Sequence, residues 1–115
     1  MQYMALIYDT EQNRNSISPE EQKQLMADYG AFTEAVKKAG VFVAGDALKP
    51  VDTATTIRIR EGQTLTTDGP FAETKEQLGG YYLLECKDLD EALHWAAQIP
   101  TARMGSIEVR PLMVW

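Results

Sequence analysis

The chain has 115 residues, of which 44% are hydrophobic and 24% charged, with 11 Lys and Arg against 17 Asp and Glu for a formal net charge of −6. This is ordinary globular usage, enough for one domain (residues 1–115) with a true core, and no apolar run approaches the ~20 residues that span a bilayer. The acidic balance argues against sequence-independent nucleic-acid binding. Cys86 stands alone, which excludes an internal disulfide, and the first positive charge, Arg14, comes too late for a signal peptide, so a cytoplasmic setting is expected.

Residues 2–8 (QYMALIY) are apolar at both odd and even positions, which predicts a strand covered on both faces. Residues 9–17 are polar without periodicity and are expected to form an exposed loop. Ser18-Pro19-Glu20-Glu21 then places serine at an N-cap, proline at the first helical position and glutamate at the third, the pattern of a capping box. The helix it opens runs to Ala39, with Leu25, Tyr29, Phe32, Val36 and Ala39 on one stripe and Gly40 as its stop. Residues 41–44 read as a second strand and 50–54 as a loop.

In 55–60 (TTIRIR) Ile57 and Ile59 alternate with Arg58 and Arg60. Glu61-Gly62 is a two-residue turn, and 63–67 returns with Leu65 expected to face inward. Residues 68–80 are the least regular stretch, with Gly79-Gly80 permitting a bulge or a close approach. Residues 81–86 (YYLLEC) predict a central strand in which Cys86 is a buried small hydrophobe. Asp88 caps a second helix whose buried stripe is Leu89, Ala92, Leu93 and Ala96, and Pro100 closes it. Residues 107–114 form a last strand, which Pro111 confines to a sheet edge or a bulge.

The order of elements is that of an α+β, ferredoxin-like split βαβ with an inserted β-hairpin, its two most apolar strands in the middle of the sheet. Two helices cover one face of such a sheet, yet both faces of the central strands are apolar. A homodimer with sheets packed face to face is therefore expected, with a pocket at or near the interface.

No phosphate loop, nucleophile elbow, HExxH or CxxC motif is present, and no metal or cofactor is expected. The single histidine, His94, falls on the outer face of the second helix beside Asp90, Glu91 and Gln98, where a solvent role is favoured over a catalytic one. The informative segment is Asp68-Gly69-Pro70-Phe71, continuing AETKEQLGGYY. Asp68 at a loop mouth, beside the apolar Pro70–Phe71 wall, is a candidate proton carrier. The same residues are also turn chemistry, in which Asp folds onto its own backbone and Gly takes positive φ, and the two readings stand side by side. Arg110 is a candidate anion clamp or, with Glu108, a solvated charge pair. Phe71 is a candidate wall for a substrate, and Tyr8 and Tyr81 are candidate hydroxyl donors.

Four pieces spread along the chain, YMALIY, TDGPFAETKEQLGGYYLLE, DLDEALHWAAQIP and GSIEVRPL, resemble the DGPF branch of the YCII-related proteins. The resemblance implies a dimeric α+β barrel. Its broader superfamily includes cofactor-independent enzymes on small ring compounds, such as muconolactone isomerases and a chlorinated-hydroquinone dehydrochlorinase. In YciI-type relatives a His-Asp pair is the proposed site. Asp68 matches the acid, but no histidine matches its partner. Two functions follow from the resemblance. One is cofactor-free proton transfer, of isomerase or lyase type, on a small organic acid or ring compound. The other is a non-catalytic dimeric module that binds a small ligand or a partner in sigma-factor signalling.

Overall fold

The strand that opens the chain sets the layers. A computed structural model describes residues 1–115, and in it β1 (Gln2–Asp9) alternates half-buried and buried along its whole length. Its odd residues, Tyr3, Ala5 and Ile7, point into the core, and its even residues point to the other face. In chain order there follow α1 (Glu11–Ser16), α2 (Pro19–Lys38), β2 (Phe42–Ala47), β3 (Thr55–Arg60), β4 (Gln63–Asp68), β5 (Gln77–Glu85), α3 (Leu89–Ala96) and β6 (Ser106–Pro111). Short 3-10 turns occupy Val51–Thr53 and Pro100–Arg103.

The main sheet has the order β2-β5-β1-β6, all antiparallel, so the two most apolar strands are central and Pro111 lies in an edge strand. This is the mixed α+β arrangement expected. Helix α2 begins with the full capping box, Ser18 accepting from the Glu21 amide and Glu21 accepting from that of Ser18. It ends as expected at Gly40, whose φ of +76° lets Gly40 N–H donate to Lys37 O and Val41 N–H to Val36 O, each at 3.0 Å. Its buried side chains, Phe32 and Val36, meet Tyr82, Leu84, Ala92, Ala96 and Ile99 in a single cluster. The opposite face of the sheet, with Met4, Leu6, Tyr8, Tyr81 and Leu83, has no helix over it and is half-exposed.

Several expectations are corrected. Residues 9–17 are not a loop. Asp9 ends β1, Thr10 accepts from the Asn13 amide, and a turn and a half of helix follows. That helix buries no side chain, so it leaves no apolar period to read. Strand β5 starts at Gln77 rather than 81, because its irregular opening is a bulge: Ile7 pairs with Gly80 and Tyr8 with Leu78, leaving Gly79 as the extra residue. A Cβ on Gly80 would lie 2.8 Å from Asp46 O in β2, so glycine sets the spacing of those strands.

In α3 only Ala92 and Ala96 are buried, while Leu89 and Leu93 stay exposed. Small alanines let the helix lie close to the sheet, and the longer leucines fall outside the contact. Strand β6 stops at Pro111, and Met113, Val114 and Trp115 extend beyond it into solvent. The hairpin forms through Glu61 (φ +51°) and Gly62 (φ +76°), but β3 and β4 make a separate two-stranded sheet. Leu65 does not face inward. It pairs with Arg58 and is exposed. No helix is long and apolar enough to cross a membrane.

Candidate functional site

The alternation of β1 continues one residue past its apolar run and carries an acid into the core phase. Asp9 follows Tyr3, Ala5 and Ile7 on the helix side and is only 6% exposed. Gly105 makes this possible, because a Cβ there would collide with the Tyr8 carbonyl oxygen and crowd the Asp9 Cβ. The Oδ1 atom of Asp9 accepts from the Thr10 amide at 2.8 Å and from Asn13 Nδ2 at 3.1 Å, so the first turn of α1 fixes the carboxylate. Oδ2 takes no hydrogen bond from the protein, and it is not sealed off from solvent.

Asp9 borders a cavity of about 400 Å³ between α2, α1 and the β2–β5–β1 end of the sheet. Its size falls within the range of small-molecule sites. Ile7, Leu25, Phe42 and Leu78 give it apolar walls, and two hydroxyl pairs border it. Tyr82 Oη lies 2.7 Å from Thr33 Oγ1, and Tyr29 Oη lies 2.5 Å from Thr101 Oγ1. Burial pushes the Tyr29 phenol above its ordinary value, and the nearby Tyr82 adds to this; the Thr101 hydrogen bond and the Arg14 charge oppose it. Tyr29 is therefore a neutral hydroxyl at physiological pH. Tyr82 is held edge-on between Phe32 and Phe42, at centroid distances of 5.0 and 6.3 Å.

Arg14 stands exposed at the cavity edge and forms no salt bridge. A Cβ on Gly79 would come within 3.2 Å of Arg14 Nη1, so the bulged glycine leaves room for the guanidinium. Lys37, also at the edge, places its ammonium 5.3 Å from the Phe42 ring centre. A cavity with an oriented carboxylate, an unpaired cation and a phenol can hold a small anion and exchange a proton with it.

The residues singled out from the sequence lie in three places. Asp68 ends β4 and is exposed, and Phe71 is 71% exposed; neither lines the cavity. Tyr8 and Arg110 are on the helix-free sheet face, where Arg110 Nε lies 2.8 Å from Glu108 Oε2. Tyr81 shares that face and also borders the cavity, with its hydroxyl donating to Asp46 Oδ2 at 3.1 Å. That bond, more than burial, raises the Tyr81 phenol above its ordinary value. Among these five residues, only Tyr81 borders the cavity. His94 is exposed, with Nε2 3.1 Å from Gln98 Nε2. Cys86 is buried, and burial pushes its thiol up, so it stays protonated and inert. No group of three or more His, Cys, Asp or Glu side chains is arranged to hold a metal ion.

The YCII-related domain matches residues 1–115. The chain belongs to the YCII-related family. This YCII-related chain is 42% identical to an uncharacterised protein of Rhizobium meliloti (strain 1021) over 117 aligned residues, which covers 100% of the chain and 94% of that relative. It also superposes on 5-chloro-2-hydroxyhydroquinone dehydrochlorinase from Burkholderia phenoliruptrix AC1100, solved as a complex with 2,5-dihydroxybenzoquinone. The TM-score is 0.55 at 15% identity, covering 98% of this chain and 94% of the other. That likeness shows the fold.

Sequence reasoning misses Asp9, Arg14, Tyr29 and Thr101 as residues of the site. Asp9 has a usable signal, since it extends the odd-numbered buried phase of QYMALIYD by one step. Arg14 has none, because a helix without a buried side gives no pattern to place it.

Proposed function

We propose that this YCII-related protein binds a small ring compound or short organic acid in the cavity between α2 and the sheet, and catalyses a proton shift on it. The observation that carries this reading is the Asp9 carboxylate at the cavity border, held at one oxygen by two donors while the other takes no hydrogen bond from the protein. In the first step Asp9 Oδ2 takes a proton from a carbon next to a carbonyl. The C–H bond breaks and its electron pair moves to the carbonyl oxygen, giving an enolate. Arg14 and the Tyr29 hydroxyl supply the positive charge and hydrogen-bond donor that such an oxyanion requires. Asp9 then returns the proton to the same carbon, which exchanges it, or, where a C=C bond adjoins that carbon and makes the enolate a dienolate, to the far end of the conjugated system with the double bond shifting, so atoms and charge balance and no oxidant or reductant is needed.

Asp68 stands outside the cavity within one chain, so the proton-carrying role passes here to Asp9. The structural neighbour's activity, dehydrochlorination of a hydroxyhydroquinone, is of a compatible substrate class. A second copy belongs to the same proposal. Packing two helix-free faces together would cover Met4, Leu6 and Leu83, which one chain leaves half-exposed.

The test is deuterium incorporation, followed by NMR in D2O, into a panel of hydroxylated cyclic ketones, lactones and short keto acids. Those that stabilise the protein thermally are assayed with wild type and Asp9→Asn. The expected result is enzyme-dependent exchange in wild type that falls at least about a hundredfold in the variant, with thermal stabilisation retained. Full exchange in Asp9→Asn, or stabilisation with no exchange in wild type, overturns the proposal.

A further inference from the structure

A two-stranded hairpin is marginal in water when it packs on nothing. Here β3 and β4 pair only with each other; every residue of β4 and five of the six in β3 are exposed. The register places Ile57 and Ile59 on one face, opposite Thr66 and Thr64, with Asp68 at the end of that face. Arg58 and Arg60 take the other face.

Two hydrogen bonds tie the segment after β4 to the arginine face. Thr56 Oγ1 donates to Gly69 O at 2.8 Å, and Arg58 Nη2 donates to Phe71 O at 3.1 Å, so the 69–71 segment folds back toward it. The isoleucine face is bare, with Ile57 and Ile59 each 64% exposed. The sheet face left free by the helices is only half-exposed, so the hairpin carries a distinct apolar exposure.

The whole chain shows the same imbalance. Its radius of gyration is 16.2 Å, where a compact domain of this length has about 13 Å. Its surface is 8198 Å² for 12.9 kDa, where a folded monomer of that mass exposes roughly 6,300 Å². The excess, roughly 1,900 Å², matches what each subunit of an obligate homodimer buries. A face of isoleucine and threonine without lysine or arginine also has the composition of such an interface.

We propose that the β3–β4 hairpin is an arm that docks its Ile57–Ile59 face on a second copy of this chain. Asp68, at the edge of that face, is carried into the contact. The Gly69–Phe71 backbone, bonded to the far side of the arm, stiffens it for docking.

Sedimentation equilibrium on wild type and on the Ile57→Asp/Ile59→Asp variant tests this, with far-UV circular dichroism to establish that the variant is folded. A photo-crosslinking residue at position 59, in an otherwise wild-type chain, gives a second readout. Mixed 14N and 15N chains distinguish crosslinks between copies from those within one. The expected results are a wild-type dimer at micromolar concentration, a dissociation constant raised at least about tenfold in the variant, and crosslinks joining 14N to 15N chains. A dimer unmoved by the variant, or crosslinks confined to one chain, overturns the arm while leaving the sheet-to-sheet pairing intact. A wild-type monomer overturns both.

Discussion

Asn13 Nδ2 donates to Asp9 Oδ1 at 3.1 Å, so the short helix α1 holds one oxygen of a buried carboxylate. Thr10 assists twice, with its backbone amide on the same oxygen and its hydroxyl capping the helix that presents Asn13. Removing the side-chain donor leaves Asp9 held by a single amide. Asn13→Ala is expected to lower stability by about 1 kcal/mol in urea unfolding, the usual net worth of an intramolecular hydrogen bond. It is also expected to slow the proposed proton exchange more than it weakens ligand stabilisation, because the cavity walls are untouched.

The Tyr29–Thr101 contact ties α2 to the 3-10 turn after α3. Tyr29→Phe leaves the buried Thr101 hydroxyl without this partner and is expected to cost about 1–2 kcal/mol at pH 7. The pH dependence follows from the raised Tyr29 value, which is set first by burial. A folded-state value above the unfolded one gives stability that is whole below the ordinary tyrosine value near 10. That stability is lost as pH climbs through the folded value. Urea midpoints measured from pH 8 upward should therefore fall in wild type above about pH 10. The fall should be shallower in Tyr29→Phe. Parallel curves for the two proteins would refute the assignment.

Two glycines predict opposite outcomes from the same substitution. Gly30 lies within α2, and a Cβ added there would meet nothing within 4 Å, so Gly30→Ala should raise stability by about 1 kcal/mol through helix propensity. At Gly80 the added methyl would press on the Asp46 carbonyl oxygen at 2.8 Å, and β2 would have to shift. Gly80→Ala is expected to destabilise by about 1–3 kcal/mol, the usual cost of overpacking. Melting temperatures of the two variants, taken side by side with wild type, check both.

The core offers a direct test of which residues carry the fold. Leu84 is almost fully enclosed, in a cluster with Val36 and Ile99. Leu84→Ala should cost about 2–5 kcal/mol, whereas the exposed Leu93 on α3 should tolerate alanine with little change. A small effect at Leu84 in urea unfolding would mean that the layers are packed differently.

Much of the scaffold is legible in the sequence because its signals are local or periodic. Ser18 to Glu21 encodes a capping box by spacing alone, Gly40 supplies a left-handed stop, and the two central strands announce themselves by being apolar on both faces. The parts that are not legible depend on tertiary placement. The hairpin turn at Glu61-Gly62 is written in the chain, but nothing local says that the strands it joins stand apart from the main sheet. Leu65 therefore faces a different side from the one expected. The same holds for the site. Asp68 draws attention because it sits in an unusual tetrapeptide, while Asp9 follows an apolar strand and looks like the first residue of a loop. Its place in the odd-numbered phase of β1 is the one local sign of burial, and the structure, with Gly105 packed behind it, shows that Asp9 is turned inward.

The most direct test of the central claim is where a ligand sits. A crystal structure of the protein with a small ring compound that stabilises it thermally is expected to show the ring between α2 and the sheet. In that position one of its atoms lies within hydrogen-bond distance of Asp9 Oδ2, and an oxygen faces Arg14. A ring seated instead on the helix-free face of the sheet, with the Asp9 cavity empty, would contradict the account.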